Sequence, residues 1–186
     1  MKNFSLPYIP ERSSRPRKEG LTMMMDKGLS LTEAENFIEA NKDLTDIVKF
    51  GFGTAFVTSQ LEEKIKLYQS HNIRPYFGGT LFEAFYARGM FDDFVHLLDK
   101  YNLDLAEVSD GSIIIPHDEK CEIIHRLSKD RTVLSEVGSK DSGILISPNK
   151  WIKMMTTELE AGSWKVIAEG RESGNVGVFR PNGTAH

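Results

Sequence analysis

Glu136 and Lys140 stand four residues apart in Leu134-Ser135-Glu136-Val137-Gly138-Ser139-Lys140, a carboxylate followed across a glycine by an amine. Glu169-Gly170-Arg171-Glu172-Ser173-Gly174 sets a second carboxylate beside a guanidinium and a hydroxyl. Asp26, Lys49 and Glu107 each lie at or next to the end of a short apolar run. Carboxylates delivered by separate strands suit a hard divalent cation such as Mg²⁺, which takes about six oxygens from protein, water and substrate. Glu136, Glu169 and Asp26 are the candidate ligands. The alternative is pairing of these carboxylates with Lys49 and Arg171, with no metal. Arg171 could hold carboxylate or phosphate oxygens bidentately, and Lys140 could give a proton to a bound substrate. Two glycine clusters, Gly51-Phe52-Gly53-Thr54 and Gly78-Gly79-Thr80, could bring backbone amides up to an anion. Neither is a P-loop or a dinucleotide fingerprint.

Such residues meet only if parallel strands carry them. Apolar runs at 21–25, 46–50, 74–77, 103–108, 132–136 and 165–168 predict six strands. Several are apolar at successive positions, as when both faces of a parallel sheet are covered. Between them lie segments of helical period, such as Leu61, Ile65, Tyr68 and Ile152, Met155, Leu159. Thr32, Ser59 and Thr80, each three residues ahead of a glutamate, read as capping boxes. Ser147-Pro148 reads as an N-cap with proline at the first helical position.

The alternation predicts an α/β fold, either a doubly wound sheet or a barrel of the (β/α)₈ TIM type. In both, the C-terminal strand ends share one face, where ligands bind. Buried charges there are costly unless paired or metal-bound, so a shared polar pocket is expected. About six βα units fit into the 186 residues, whereas a full barrel takes about 250. The expectation is one incomplete barrel domain over 1–186, with irregular segments at 1–20 and 174–186.

Composition bounds the partners. With 23 Lys and Arg against 27 Asp and Glu, the net charge of −4 argues against a broad nucleic-acid face. No run approaches the roughly 18–20 uncharged apolar residues of a membrane span. The one cysteine, Cys121, permits no internal disulfide and fits a reducing cytoplasm. Cys121, with no histidine evidently paired to it, and Met23-Met24-Met25 read as packing residues.

Five ordered stretches resemble the phosphosulfolactate synthase family, its bacterial members more than its archaeal ones. They are Arg15-Pro16-Arg17 with Gly20-Leu21-Thr22 and Asp26-Lys27-Gly28; Asp46-Ile47-Val48-Lys49-Phe50-Gly51; Phe77-Gly78-Gly79-Thr80-Leu81-Phe82-Glu83; the Glu136–Lys140 stretch; and Glu169 to Gly174. The resemblance implies a (β/α)₈ barrel and a magnesium-dependent carbon–sulfur lyase that adds sulfite to phosphoenolpyruvate. The implied product is (2R)-phospho-3-sulfolactate, formed through an enediolate-like intermediate; in methanogens this step begins coenzyme M synthesis. A homo-oligomer is also implied. The family's proposed general acid falls on Lys140. Substrate oxygens are then expected on Lys49, Gly78, Gly79, Thr80, Arg171 and Ser173.

This sequence departs from the family in having Phe52 where tryptophan is usual, and in stopping before the last two strands. Two other readings stay open: a non-catalytic relative, since plant heat-stress-associated proteins also resemble this family, and another barrel lyase acting on a phosphorylated acid.

Overall fold

The computed structural model describes residues 4–140, 146–170, 173–180 and 182–185. Its strands are β1 (Met23–Asp26), β2 (Ile47–Phe50), β3 (Arg74–Phe77), β4 (Leu105–Ser109), β5 (Thr132–Val137) and β6 (Lys165–Ala168). The helices are α1 (Leu31–Asn41), α2 (Leu61–Ser70), α3 (Gly79–Tyr86), α4 (Phe91–Lys100), α5 (His117–Leu127) and α6 (Pro148–Glu160). β3 and β6 have the expected bounds. β1 and β4 start two residues later than expected and reach Asp26 and Ser109, β2 starts one later, and β5 continues to Val137.

Every ladder is parallel, in the orders β1-β2-β3 and β4-β5-β6. Side chains join the two sets: Arg74 reaches Asp104 at 2.8 Å and Thr132 at 2.7 Å, and the Tyr76 hydroxyl donates to Glu107 at 2.7 Å. Strands therefore follow one another in chain order. A doubly wound sheet would reverse that order at a switch point, so the arrangement is barrel-type.

Side-chain alternation along the strands splits the core in two. Val48, Phe50, Phe77, Ala106, Val108 and Val133 face outward onto the helices, against Ala34, Ile65, Tyr68, Phe94, Leu98 and Ile124. Ile47, Tyr76, Leu105 and Leu134, with Leu21 and Ile167, form a smaller inner cluster. This parity decides which strand-end charges can meet.

The helix starts differ from expectation in three places. Ser30, not Thr32, caps α1: its hydroxyl accepts from the Glu33 amide while Glu33 accepts from the Ser30 amide at 2.7 Å. Two overlapping Ser/Thr-x-x-Glu frames occur here, and the helix takes the earlier one. α2 starts from Gln60 in left-handed conformation without a side-chain cap, and Glu62 pairs with Lys66 instead. α3 starts after Gly78, which leaves Thr80 inside the helix and Glu83 bonded elsewhere. Ser147 caps α6 ahead of Pro148, as expected.

Residues 4–20 hold no helix or strand, yet they are tied down. Arg12, Arg15 and Arg17 converge on Asp46 at 3.6, 3.7 and 2.8 Å. Arg15 also donates to the carbonyls of Lys42 and His71, the residues closing α1 and α2. Cations at helix C-termini are favourable there, so this strap braces the N-terminal side of the strands. Residues 173–180 and 182–185 are likewise held without regular structure, through isolated bridges Gly170–Gly177 and Phe179–Ala185. No helix among the described residues is long and apolar enough to cross a membrane.

Candidate active site

Lys49, Glu107 and Glu136 share the inward parity of Ile47, Leu105 and Leu134, and Glu169 that of Ile167. All four side chains therefore turn into the barrel at its C-terminal mouth. The Lys49 ammonium sits 2.8 Å from Glu107 and 3.2 Å from Glu136. Burial works against its charge, but the two carboxylates together outweigh burial and push Lys49 up to about 12. Glu107 is fully enclosed; burial raises its carboxyl, and Lys49 opposes that shift.

Burial also raises Glu136, Lys49 and Lys140 oppose it, and a hydrogen bond shared with Glu169 adds to the rise. Two carboxyls in mutual contact cannot both ionise cheaply. Such a pair is a donor set that a hard divalent cation would relieve. The residues present thus fit a cation held by Glu136 and Glu169. Among the described residues, no cluster of three or more His, Cys, Asp or Glu is placed to hold a metal.

Asp26 is not part of this group, which corrects the three-carboxylate expectation. It has the outward parity of Met24, and its carboxylate meets Lys64 at 2.7 Å and the Tyr68 hydroxyl at 3.0 Å, both on α2. Its other oxygen caps the amides of Gly28 and Leu29, each at 2.9 Å. Alternation along Met23-Met24-Met25-Asp26 puts Asp26 on the face of Met24, but three identical residues do not mark which face is inward, and the contacts with α2 decide it.

Lys140 does reach the mouth. Its ammonium lies 3.4 Å from the Thr80 hydroxyl, 3.4 Å from Glu83 and 4.0 Å from Glu136. A cavity of about 420 Å³ is lined by Lys49, Thr80, Glu136, Lys140, Glu169 and Ser173 on its polar side. Met23, Met25, Phe52 and Ile167 form the apolar side. Met23 and Met25 therefore line the site rather than merely filling a strand. A larger cavity, about 810 Å³, lies between residues 110–115 and the start of α6, and none of the expected site residues line it. Arg171 lies outside the described residues.

The glycine cluster serves a different purpose from the one expected. The Gly79 amide donates to Glu107 at 2.6 Å, and the Gly78 amide to the Phe50 carbonyl at 3.0 Å. Neither is open to an external anion. A Cβ at Gly79 would stand 2.6 Å from the Glu107 carboxylate, so glycine is required for that approach. Of the expected cradle, Lys49, Thr80 and Ser173 face the cavity.

Four buried charges, Lys64, Glu83, Lys120 and Glu158, escaped the sequence reading. Lys64 falls on the stripe Leu61, Ile65, Tyr68, and Lys120 on the stripe Ile123, Ile124, Leu127. A lysine on an apolar stripe needs a carboxylate; Lys120 finds Asp110 and Glu158, each at 2.8 Å, and donates to the Glu136 carbonyl at 2.7 Å. That spacing was a usable signal. Glu83, 2% exposed, gave none beyond its false capping pattern, because its partners lie in a remote loop. Cys121 does have a histidine nearby, His117 at 4.0 Å, but burial raises the thiol and leaves it unactivated.

A family model described as (2R)-phospho-3-sulfolactate synthase (ComA) matches residues 10–186. The chain belongs to the phosphosulfolactate synthase family. The phosphosulfolactate synthase of Bacillus subtilis (strain 168) is 37% identical over 185 residues, covering 98% of this chain and 73% of that protein. The phosphosulfolactate synthase of Methanocaldococcus jannaschii is 40% identical over 173 residues, covering 89% of this chain and 68% of its own length. Among solved structures, 3-hexulose-6-phosphate synthase superposes with a TM-score of 0.50 at 13% identity, covering 82% of this chain and 67% of that one. Chitinase ChiC of Aspergillus fumigatus superposes at 0.52 with 9% identity, covering 78% and 66%. Both likenesses speak for the barrel fold alone. Phosphosulfolactate synthase family membership, by contrast, rests on similarity along nearly the whole chain.

Proposed function

We propose that this chain is a lyase that adds sulfite to phosphoenolpyruvate to give (2R)-phospho-3-sulfolactate. The observation that carries the reading is the meeting of Lys49, Glu136, Lys140 and Glu169 around one cavity, in a chain of this family. The chemistry explains why such a pocket is needed. Sulfite is a good nucleophile, but the methylene carbon of phosphoenolpyruvate resists attack beside a free carboxylate. Addition forms the carbon–sulfur bond and moves an electron pair toward that carboxylate, and C2 then takes a proton.

Glu136 and Glu169 are the residues that would hold Mg²⁺. The cation would supply positive charge facing the substrate carboxylate as negative charge builds there. Lys49 is fixed by Glu107 and Glu136 and keeps positive potential in a pocket otherwise rich in carboxylates. Lys140 stands at the rim, where its ammonium can hand a proton to C2 and fix the configuration. Thr80 and Ser173 offer hydroxyls for phosphate oxygens, with Arg171 as a further candidate.

Incubation with sulfite, phosphoenolpyruvate and MgCl₂, followed by chromatographic detection of phosphosulfolactate, tests the reading. Product is expected; its absence from correctly folded protein would end the proposal. Pyruvate with aldehydes, offered in parallel, separates the alternative of an aldolase-like barrel lyase.

A further inference from the structure

Lys140 is long, sits on a loop and lies at a rim, yet several contacts converge on it. Its backbone amide donates to the Gly111 carbonyl at 2.9 Å. Its ammonium lies 3.4 Å from Glu83. The same Glu83 carboxylate accepts from the Ser109 hydroxyl, from the Gly111 amide at 3.0 Å and from the Ser112 amide at 3.2 Å. One buried carboxylate on α3 therefore ties together the end of β4, the loop after it and the lysine that follows β5. The lysine stem also lies on Gly111, where an added Cβ would stand 3.0 Å from Cε and 3.2 Å from both Cδ and Cγ.

We infer that Glu83 and Gly111 are positioning residues that set where the Lys140 amine stands in the mouth. Glu83 supplies a fixed negative anchor, held by three donors other than the lysine, so it cannot swing with it. Gly111 supplies a surface without a side chain, across which the lysine's methylene groups can lie flat. Neither residue lines the 420 Å³ cavity. Their action passes through Lys140, and the inference rests on the reading of that lysine as proton donor. An amine left to roam would sample the proton-transfer geometry rarely, and small displacements are costly for rate.

The test uses the full chain carrying Glu83→Gln or Gly111→Ala. Steady-state kinetics with sulfite and phosphoenolpyruvate are combined with acylation of surface amines, read lysine by lysine by peptide mass spectrometry on the unliganded protein. In both variants kcat is expected to fall about 10–100-fold while KM for phosphoenolpyruvate stays within about threefold. The acylation rate of Lys140 should change by about threefold or more relative to the other lysines, because its environment alone has moved. Gly111→Ala keeps the Glu83 carboxylate, and its backbone needs no left-handed conformation, so it serves if Glu83→Gln fails to fold. Unchanged kcat and unchanged Lys140 acylation would overturn the inference. So would a uniform rise across all lysines with a lowered melting temperature, the mark of a purely structural role. If the unaltered chain makes no phosphosulfolactate, the functional reading falls, and the Lys140-specific acylation still decides the positioning.

Discussion

Glu136 and Glu169 line the same cavity from the ends of the neighbouring strands β5 and β6, and Glu169 adds to the rise that burial imposes on the Glu136 carboxyl. They come from strands joined by the whole of α6, and only the parallel pairing of Glu136 with Ile167 brings them together. Without a cation this pair is an electrostatic liability in a buried place.

That liability sets the first prediction. Burial and Glu169 raise Glu136 from the usual 4.5, so the folded metal-free chain holds a proton that the unfolded chain releases. Stability therefore falls as pH rises from the ordinary carboxylate range through the raised value. Glu169→Gln should flatten this fall in thermal melts. MgCl₂ should raise the melting temperature of the unaltered chain at pH 8 and do little for the variant. Equal shifts in both would exclude Glu169 as a ligand, and undiminished product formation in excess EDTA would exclude an essential accessible metal.

Lys140→Ala should abolish turnover while leaving phosphoenolpyruvate binding largely intact, as seen by calorimetry. The lysine is one of several groups on the cavity, so the substrate keeps its other partners. Parallel loss of binding and turnover would assign Lys140 to substrate holding instead of proton transfer.

Lys49 carries an alkaline signature. Its folded value is raised from 10.5 to about 12. The stability it contributes is thus complete below about 10.5 and disappears as pH rises through about 12. The shift corresponds to about 2 kcal/mol. Lys49→Met should remove that alkaline loss from denaturant unfolding curves recorded between pH 9 and 12; an identical profile would contradict the pairing with Glu107 and Glu136.

Asp26 separates structure from chemistry. Asp26→Ala strands the Lys64 ammonium in the outer layer, where both residues are fully buried, and should cost about 3–5 kcal/mol. Turnover per folded molecule should remain near that of the unaltered chain. A metal affinity weakened tenfold or more by this variant would return Asp26 to the mouth.

The strand and helix pattern was readable because hydrophobic periodicity is local. β3 and β6 emerged with the right bounds, and Ser147-Pro148 marked the start of α6. Capping motifs were less informative: a Ser/Thr-x-x-Glu frame is four residues long, and at Thr80 the glutamate had a stronger use with Ser109, Gly111 and Ser112. Strand-end charges were legible as a group, but their partners were not. The two glycines ahead of α3 illustrate why: whether an amide faces a ligand or Glu107 depends on where β4 lies.

Sequence alone established the parallel α/β alternation, the family, and Lys49, Glu136, Lys140 and Glu169 as residues worth watching, since composition and spacing are properties of the chain by itself. Tertiary structure decided which of them meet. It sent Asp26 outward to Lys64, closed the Gly79 amide onto Glu107, and placed Glu83 beneath Lys140. Each of those outcomes depends on strand register and side-chain parity between segments distant in sequence, and no local pattern encodes the distance between two such residues.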